Sequence, residues 1–136
     1  MNKLFFACAA LFIIYFNSNQ AIADSQFREL PKCVVVTHCI REEWQVSNLD
    51  QSFKKVVEAV SNTPRTVIVE QTDNFLHAEA KTKWRRYTDD LLVQALPEKD
   101  IIVVRSESRL GIGDNGVNKK RVDELAYRLT TGQLIY

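Results

Sequence analysis

Between Thr66 and Ser106 the chain carries four short runs with strand character, and each is separated from the next by a local connection. Thr66 to Glu70 (T-V-I-V-E) is rich in β-branched residues, which suit a pleated surface. Gln71 to Asn74 reads as a turn. Phe75 to Lys81 alternates, placing Phe75, His77, Glu79 and Lys81 on one face and Leu76, Ala78 and Ala80 on the other. Lys83 to Tyr87 (K-W-R-R-Y) is a basic-aromatic connection. Thr88 to Ala95 and Ile101 to Ser106 flank Pro97-Glu98-Lys99-Asp100, a hairpin turn. Consecutive short strands with local turns predict an antiparallel meander of about four strands.

Two helical stripes bracket the meander. Ser47 or Asn48 is placed to cap a helix in which Leu49, Phe53, Val56, Val57 and Val60 recur at helical spacing. Asn62-Thr63-Pro64 stops it. A second helix is predicted from about Asn118 to Thr130, with Val122, Leu125, Ala126 and Leu129 as its apolar stripe and Gly132 just past its end. Val34 to Val36 reads as a further short strand near the start. The predicted class is α+β, in the order β-α-β-β-β-β-α, with one helix before the strands of the meander and one at the C-terminus.

The first 23 residues have a different character. Lys3 supplies a positive start, Leu4 to Phe16 is almost purely apolar, and Ala21-Ile22-Ala23 gives a small-x-small pattern. This is the layout of a signal peptide, with cleavage expected after Ala23. Its apolar run of 13 residues is short of the roughly 20 that span a bilayer. The expected arrangement is therefore a leader over 1–23 and one exported, periplasmic or secreted domain over 24–136, not membrane-spanning. Lys3 is the leader's only charged residue, so the rest of the chain holds 17 Lys and Arg against 17 Asp and Glu. That balance argues against general nucleic-acid binding, which needs a broad excess of cations.

Cys8 leaves with the leader, and Cys33 and Cys39 remain. Export permits a disulfide between them. A straight strand would hold six steps of about 3.3 Å between the two residues, so a bridge requires a turn there. The alternative is a pair of thiols. A zinc site with His38 lacks a second ligand pair.

The richest stretch is Arg105 to Arg121, R-S-E-S-R-L-G-I-G-D-N-G-V-N-K-K-R. Gly111, Gly113 and Gly116 fall in six residues between a strand and a helix, where free backbone N–H groups and a helix dipole favour an anion. Asn118 is the expected N-cap, but Lys119, Lys120 and Arg121 follow it and oppose the dipole. Asp114, Asp123, Glu124 or an external anion must compensate. One reading is a pocket for a phosphate or carboxylate. The other is structural, with Arg105 or Arg109 pinning the loop to an acidic side chain. The G-x-x-x-x-G-K-[ST] order of a nucleotide-triphosphate loop is absent, and Gly111-x-Gly113-x-x-Gly116 has no βαβ unit around it.

Asp89-Asp90 is the second constellation. Adjacent strand residues point to opposite faces, so at most one faces the core. Asp90 lies diagonally across from Arg105, and an Asp90–Arg105 ion pair is expected. A catalytic or metal reading would join Asp89 and Asp90 to His77 and Glu79, which share a face. K-W-R-R-Y with Lys81 is a third feature: interleaved cations and aromatics bind nucleic acid or membrane interfaces, or form a solvated hairpin. No nucleophile motif is present, and no cofactor is expected.

The Arg105–Arg121 run resembles the signature of the family known as domain of unknown function 1499, roughly R-S-x-S-R-x-G-x-x-D-x-G-x-N-x-x-R, at every fixed position. His77-Ala78-Glu79, Asp89-Asp90 and Pro31-Lys32-Cys33 resemble its H-A-E, D-D and P-x-C. The valines after Cys33 depart from its small polar residues. The resemblance implies that Arg105, Ser106, Ser108, Arg109, Asp114, Asn118 and Arg121 form one unit, and implies no reaction. With Gly111 and Gly116 these residues make the expected anion site of a non-enzymatic domain that binds a small anion or an envelope partner. The rival readings are a hydrolase using Asp89, Asp90, His77 and Glu79, and a scaffold without a ligand.

Overall fold

Among the described residues five strands and two helices follow one another as β1 (Cys39–Gln45), α1 (Leu49–Ser61), β2 (Thr66–Gln71), β3 (Phe75–Lys81), β4 (Thr88–Leu96), β5 (Ile101–Ser108) and α2 (Val117–Thr131). The computed structural model describes residues 29–111 and 113–132, so the leader lies outside the described residues. The strands form one sheet in the order β1-β5-β4-β3-β2, and every neighbouring pair is antiparallel. The α+β class and the meander from β2 to β5 are as expected, and β1 adds a fifth strand beside β5.

Both helices pack on one face of the sheet. Phe53, Val56 and Val60 of α1 and Val122 and Leu125 of α2 meet Leu76, Ala78, Leu91, Val93, Ile102 and Val104 in the main core. Burial of these side chains, at about 25 cal/mol per Å² of apolar surface, is the main force holding the layers together. The other face carries a smaller cluster of Leu30, Leu96, Ile101 and Val103. Leu30 is fixed there by polar bonds: its N–H donates to Gln94 Oε1 at 3.0 Å, and its carbonyl accepts from Arg41 Nε at 3.1 Å. Asn48 caps α1, accepting from the Gln51 N–H at 3.0 Å. Gly132 ends α2 in a left-handed conformation, φ 66°.

The segment around Val34 to Val36 corrects the sequence reading. A disulfide joins Cys33 and Cys39, with Cα atoms 5.6 Å apart, and the chain turns between them as a bridge requires. The three valines are therefore presented to solvent on that loop, and the first strand starts at Cys39. Ile40 and Trp44 of β1 pack against the main core, while Arg41, Glu43 and Gln45 point to the other face. Charges on that outer side disguised the strand.

The antiparallel register brings distant segments to one end of the sheet. Cys39 pairs with Glu107, Asp89 with Ser108, Lys81 with Thr88, and Thr66 with Ala80. The 33–39 loop, the turn before β2, the 82–87 connection and the loop leading to α2 thus share that end. Among the described residues no helix is long and apolar enough to cross a membrane.

Candidate functional site

Adjacent strand positions place the signature residues on two sides of the sheet. Ser106 and Asp89 face the helices. There Arg121, just past the first turn of α2, donates from Nη2 to Asp89 Oδ2 at 2.8 Å and from Nη1 to Ser106 Oγ at 2.8 Å and Asn118 Oδ1 at 2.6 Å. Ser108 Oγ donates to Asp89 Oδ1 at 2.7 Å. Asn118 Nδ2 donates to Ser108 Oγ at 3.0 Å and to the His38 carbonyl at 3.1 Å. Ser106, Ser108, Asp89, Asn118 and Arg121 form one connected, largely buried polar network. Such a network rigidifies a core when every member is satisfied.

Asn118 is consequently not the N-cap that its position suggested. Gly116 occupies the cap position, at φ 78°, with no capping side chain of its own. Asp114 does the capping from two residues upstream, accepting from the Gly116 N–H through Oδ1 and from the Asn118 N–H through Oδ2, both at 2.9 Å. Burial pushes the Asp114 carboxyl up, but these backbone donors outweigh it and hold it below its ordinary value. The cations at the helix start are also matched from within: Lys119 by Asp123 and Glu42, Lys120 by Glu124, and Arg121 by Asp89. No external anion is needed to balance them. Gly116 is in the left-handed region, φ 78°, a backbone that favours glycine.

The opposite face holds a second cluster. Arg109 grips Asp90 side-on, Nε to Oδ2 at 2.9 Å and Nη2 to Oδ1 at 2.8 Å, and also reaches Glu79. His77 Nε2 lies 2.7 Å from Asp90 Oδ1. The Arg109 guanidinium, with help from His77, holds the Asp90 carboxyl below its usual range against a smaller opposing effect of burial. The expected Asp90–Arg105 pair is replaced. Arg105 pairs instead with Glu107 at 2.6 Å. Glu107 sits two residues on along the same face of β5, directly opposite Asp90, and so intervenes. Asp89 and Asp90 are on opposite faces, which removes Asp89 from any site with His77 and Glu79. Among the described residues no group of three or more His, Cys, Asp or Glu is disposed to hold a metal ion.

A cleft with a volume of about 550 Å³ lies at the sheet end described above. One wall comes from the loop around Leu110, Gly113 and Asp114, with Val117 and Arg121 of α2. The other comes from the turn before β2 and the 82–87 connection, with Arg65, Lys81, Lys83, Trp84, Arg85 and Tyr87. Six cations line it against two carboxylates, Asp114 and Glu124. Asp114 is engaged by backbone N–H groups and Glu124 by Lys120. Among the described residues Arg65, Lys81, Lys83 and Arg85 have no carboxylate partner. The cleft also carries exposed apolar surface from Trp84, Leu110 and Val117.

Of the residues expected to bind an anion, Ser108, Asp114 and Arg121 touch this cleft, together with Gly113, whereas Arg109 and Arg105 face the other side. K-W-R-R-Y marked one wall in the sequence. Arg65 carried no signal, because only the β2–β3 pairing sets it beside Lys81, whose N–H donates to the Arg65 carbonyl at 2.9 Å.

These features define a small α+β domain whose signature residues build a buried latch and a helix cap beside a basic cleft, and a surface ion cluster on the opposite face of the sheet. The chain belongs to a family of proteins of unknown function, DUF1499, whose model matches residues 17–129. No curated protein matches the chain.

Proposed function

We propose that this is an exported binding domain that holds a small anionic ligand, or an anionic group of a partner, in the cleft between the glycine-containing loop and the 82–87 connection. The observation that carries the reading is the set Arg65, Lys81, Lys83 and Arg85, gathered at one cleft without carboxylate partners among the described residues. Uncompensated cations in a partly enclosed space attract anions more strongly than isolated surface charges do. Trp84, Leu110 and Val117 add apolar surface beside the charge, which suits a ligand with a hydrophobic portion. Export is supported by the Lys3, Leu4–Phe16 and Ala21-Ile22-Ala23 layout, and the Cys33–Cys39 disulfide is compatible with it.

Thermal-shift measurements with inorganic phosphate, sulfate, aliphatic carboxylates and phosphate esters test the reading. Stabilisation that rises with anion concentration and is lost in Lys81→Ala/Arg85→Ala is the expected result. Stabilisation by none of them, or an unchanged response in that variant, sinks it. Export is tested by N-terminal sequencing of the protein from fractionated cells, with Asp24 expected first. A scaffold without a ligand is the second reading. It is favoured by the internal pairing of Arg105, Arg109 and Arg121, and it predicts that no anion shifts the melting temperature.

A further inference from the structure

We infer that the end of the domain bearing this cleft docks on an anionic lipid bilayer, with the cleft taking a lipid phosphate and the loops around it entering the interface. The inference rests on the anion-binding reading and names its partner. Among the described residues nine large hydrophobic side chains are exposed, and six of them, Val34, Val35, Val36, Trp84, Leu110 and Val117, lie at this one end. They come from the disulfide-closed loop, the 82–87 connection and the loop and helix start after β5. The first and third are tied together, because the Asp114 N–H donates to the Thr37 carbonyl at 3.3 Å. Val34 is 91% exposed, Val36 80% and Trp84 86%. Leaving such groups in water is unfavourable, and their clustering marks an interaction surface.

Charge selects the partner. The exposed apolar groups are interleaved with Arg65, Lys81, Lys83, Arg85 and the adjacent Arg86. The turns at the opposite end of the sheet carry Asp73, Glu98 and Asp100, and their one cation, Lys99, is paired with Glu29 at 2.7 Å. The domain is thus polarised along its strands. An anionic surface would orient it with the cleft facing inward. A soluble anion filling the cleft would leave the Val34–Val36 loop in water, whereas a bilayer accommodates apolar side chains from separate loops at once. Tryptophan beside lysine and arginine is suited to the headgroup region, where the ring sits in the interface and the cations meet phosphates. Single-stranded nucleic acid would use the cations and Trp84 but leave the valines without a role.

Protein recovered from cells expressing the full chain is mixed with phosphatidylglycerol vesicles, phosphatidylcholine vesicles, a single-stranded oligonucleotide, and inorganic phosphate alone. Contributions from outside the described residues are common to all variants. The expected result is binding to phosphatidylglycerol vesicles that falls by more than about tenfold in Lys83→Glu/Arg85→Glu. The same charge reversal on the exposed face of α1, Lys54→Glu/Lys55→Glu, is expected to change binding far less. Trp84→Ala and Val34→Ser/Val36→Ser are expected to lose vesicle binding, and the valine variant, which leaves the cleft lining untouched, is expected to keep the phosphate response. Vesicle binding unaffected by these last two variants overturns the inference. So does a preference for the oligonucleotide, or self-association of the chain through this end without vesicle binding. Stabilisation by inorganic phosphate without vesicle binding leaves the anion site standing and removes the bilayer.

Discussion

Arg121 and Asp89 meet at 2.8 Å beneath the start of α2, and Asp89 has no exposure to solvent. The second carboxylate oxygen is taken by Ser108, and the second guanidinium arm by Ser106 and Asn118. A buried pair of this kind owes its stability to complete satisfaction, and removing one partner leaves an uncompensated charge. Arg121→Met or Asp89→Asn alone is therefore expected to cost about 3–5 kcal/mol. Asp89→Asn combined with Arg121→Met is expected to cost much less than the two single losses together. Urea denaturation at neutral pH checks this through midpoint and slope. Additive losses in the double variant would show that the two residues act separately.

Asp90 and Asp114 both have carboxyls held below the ordinary value of 3.8, Asp90 chiefly by Arg109 and Asp114 by backbone donors that outweigh its burial. A carboxyl depressed by folding stabilises the folded state above its unfolded pKa. That contribution is lost as pH falls through the lower, folded value. Stability is thus expected to hold from neutral pH to about 5 and then decline below about 4. Arg109→Gln is expected to melt below the wild type at pH 7 and to converge with it as pH falls through the lowered Asp90 value, once that carboxyl is protonated in both. Melting curves across that range test the sign. A constant offset between the two proteins at every pH would contradict the assignment.

The Cys33–Cys39 bridge closes a small loop and sets the Thr37 carbonyl against the Asp114 N–H. By the chain-entropy account, a loop this short is worth roughly 2 kcal/mol. Cys33→Ser/Cys39→Ser, or reduction of the wild type, is expected to lower the urea midpoint accordingly while the sheet survives, because the core of β2 to β5 does not depend on the loop. Far-UV circular dichroism and denaturation together check this. Loss of secondary structure on reduction would show that the loop is needed to hold β1.

Much of this architecture was legible because local pattern and final environment agree. Phe75–Lys81 alternates in sequence and in burial, and the stripe Phe53, Val56, Val60 buries as its spacing demands. The failures occur where a longer-range constraint wins. Val34 to Val36 has strand-forming residues, but the disulfide bends it into a loop. Asn118 has cap chemistry, but the Arg121–Ser106–Ser108 network draws its side chain inward and Asp114 substitutes. The family signature reads as one basic loop along the chain. Strand alternation divides it, sending Ser106 to one face and Arg105 to the other. The cleft itself was half visible, since K-W-R-R-Y stood out and Arg65 did not.

Arg65 offers a way to separate binding from stability. It is a non-glycine residue in the left-handed region, φ 61°, at the turn that leads into β2 and beside the cleft. That backbone costs a residue with a side chain roughly 1 kcal/mol, which glycine avoids, although glycine gives back part of the gain through the greater freedom of the unfolded chain. The Arg65 carbonyl bonds the Lys81 N–H in either case. Arg65→Gly is therefore expected to fold with stability within about 1 kcal/mol of the wild type, or slightly above it, while losing one cleft cation. Its melting temperature without added anion should be unchanged or higher, and its stabilisation by inorganic phosphate smaller. A full phosphate response would take Arg65 out of the site. A large loss of stability would mean that its side chain, through the 3.3 Å bond from Nε to the Lys81 carbonyl, holds the turn in place.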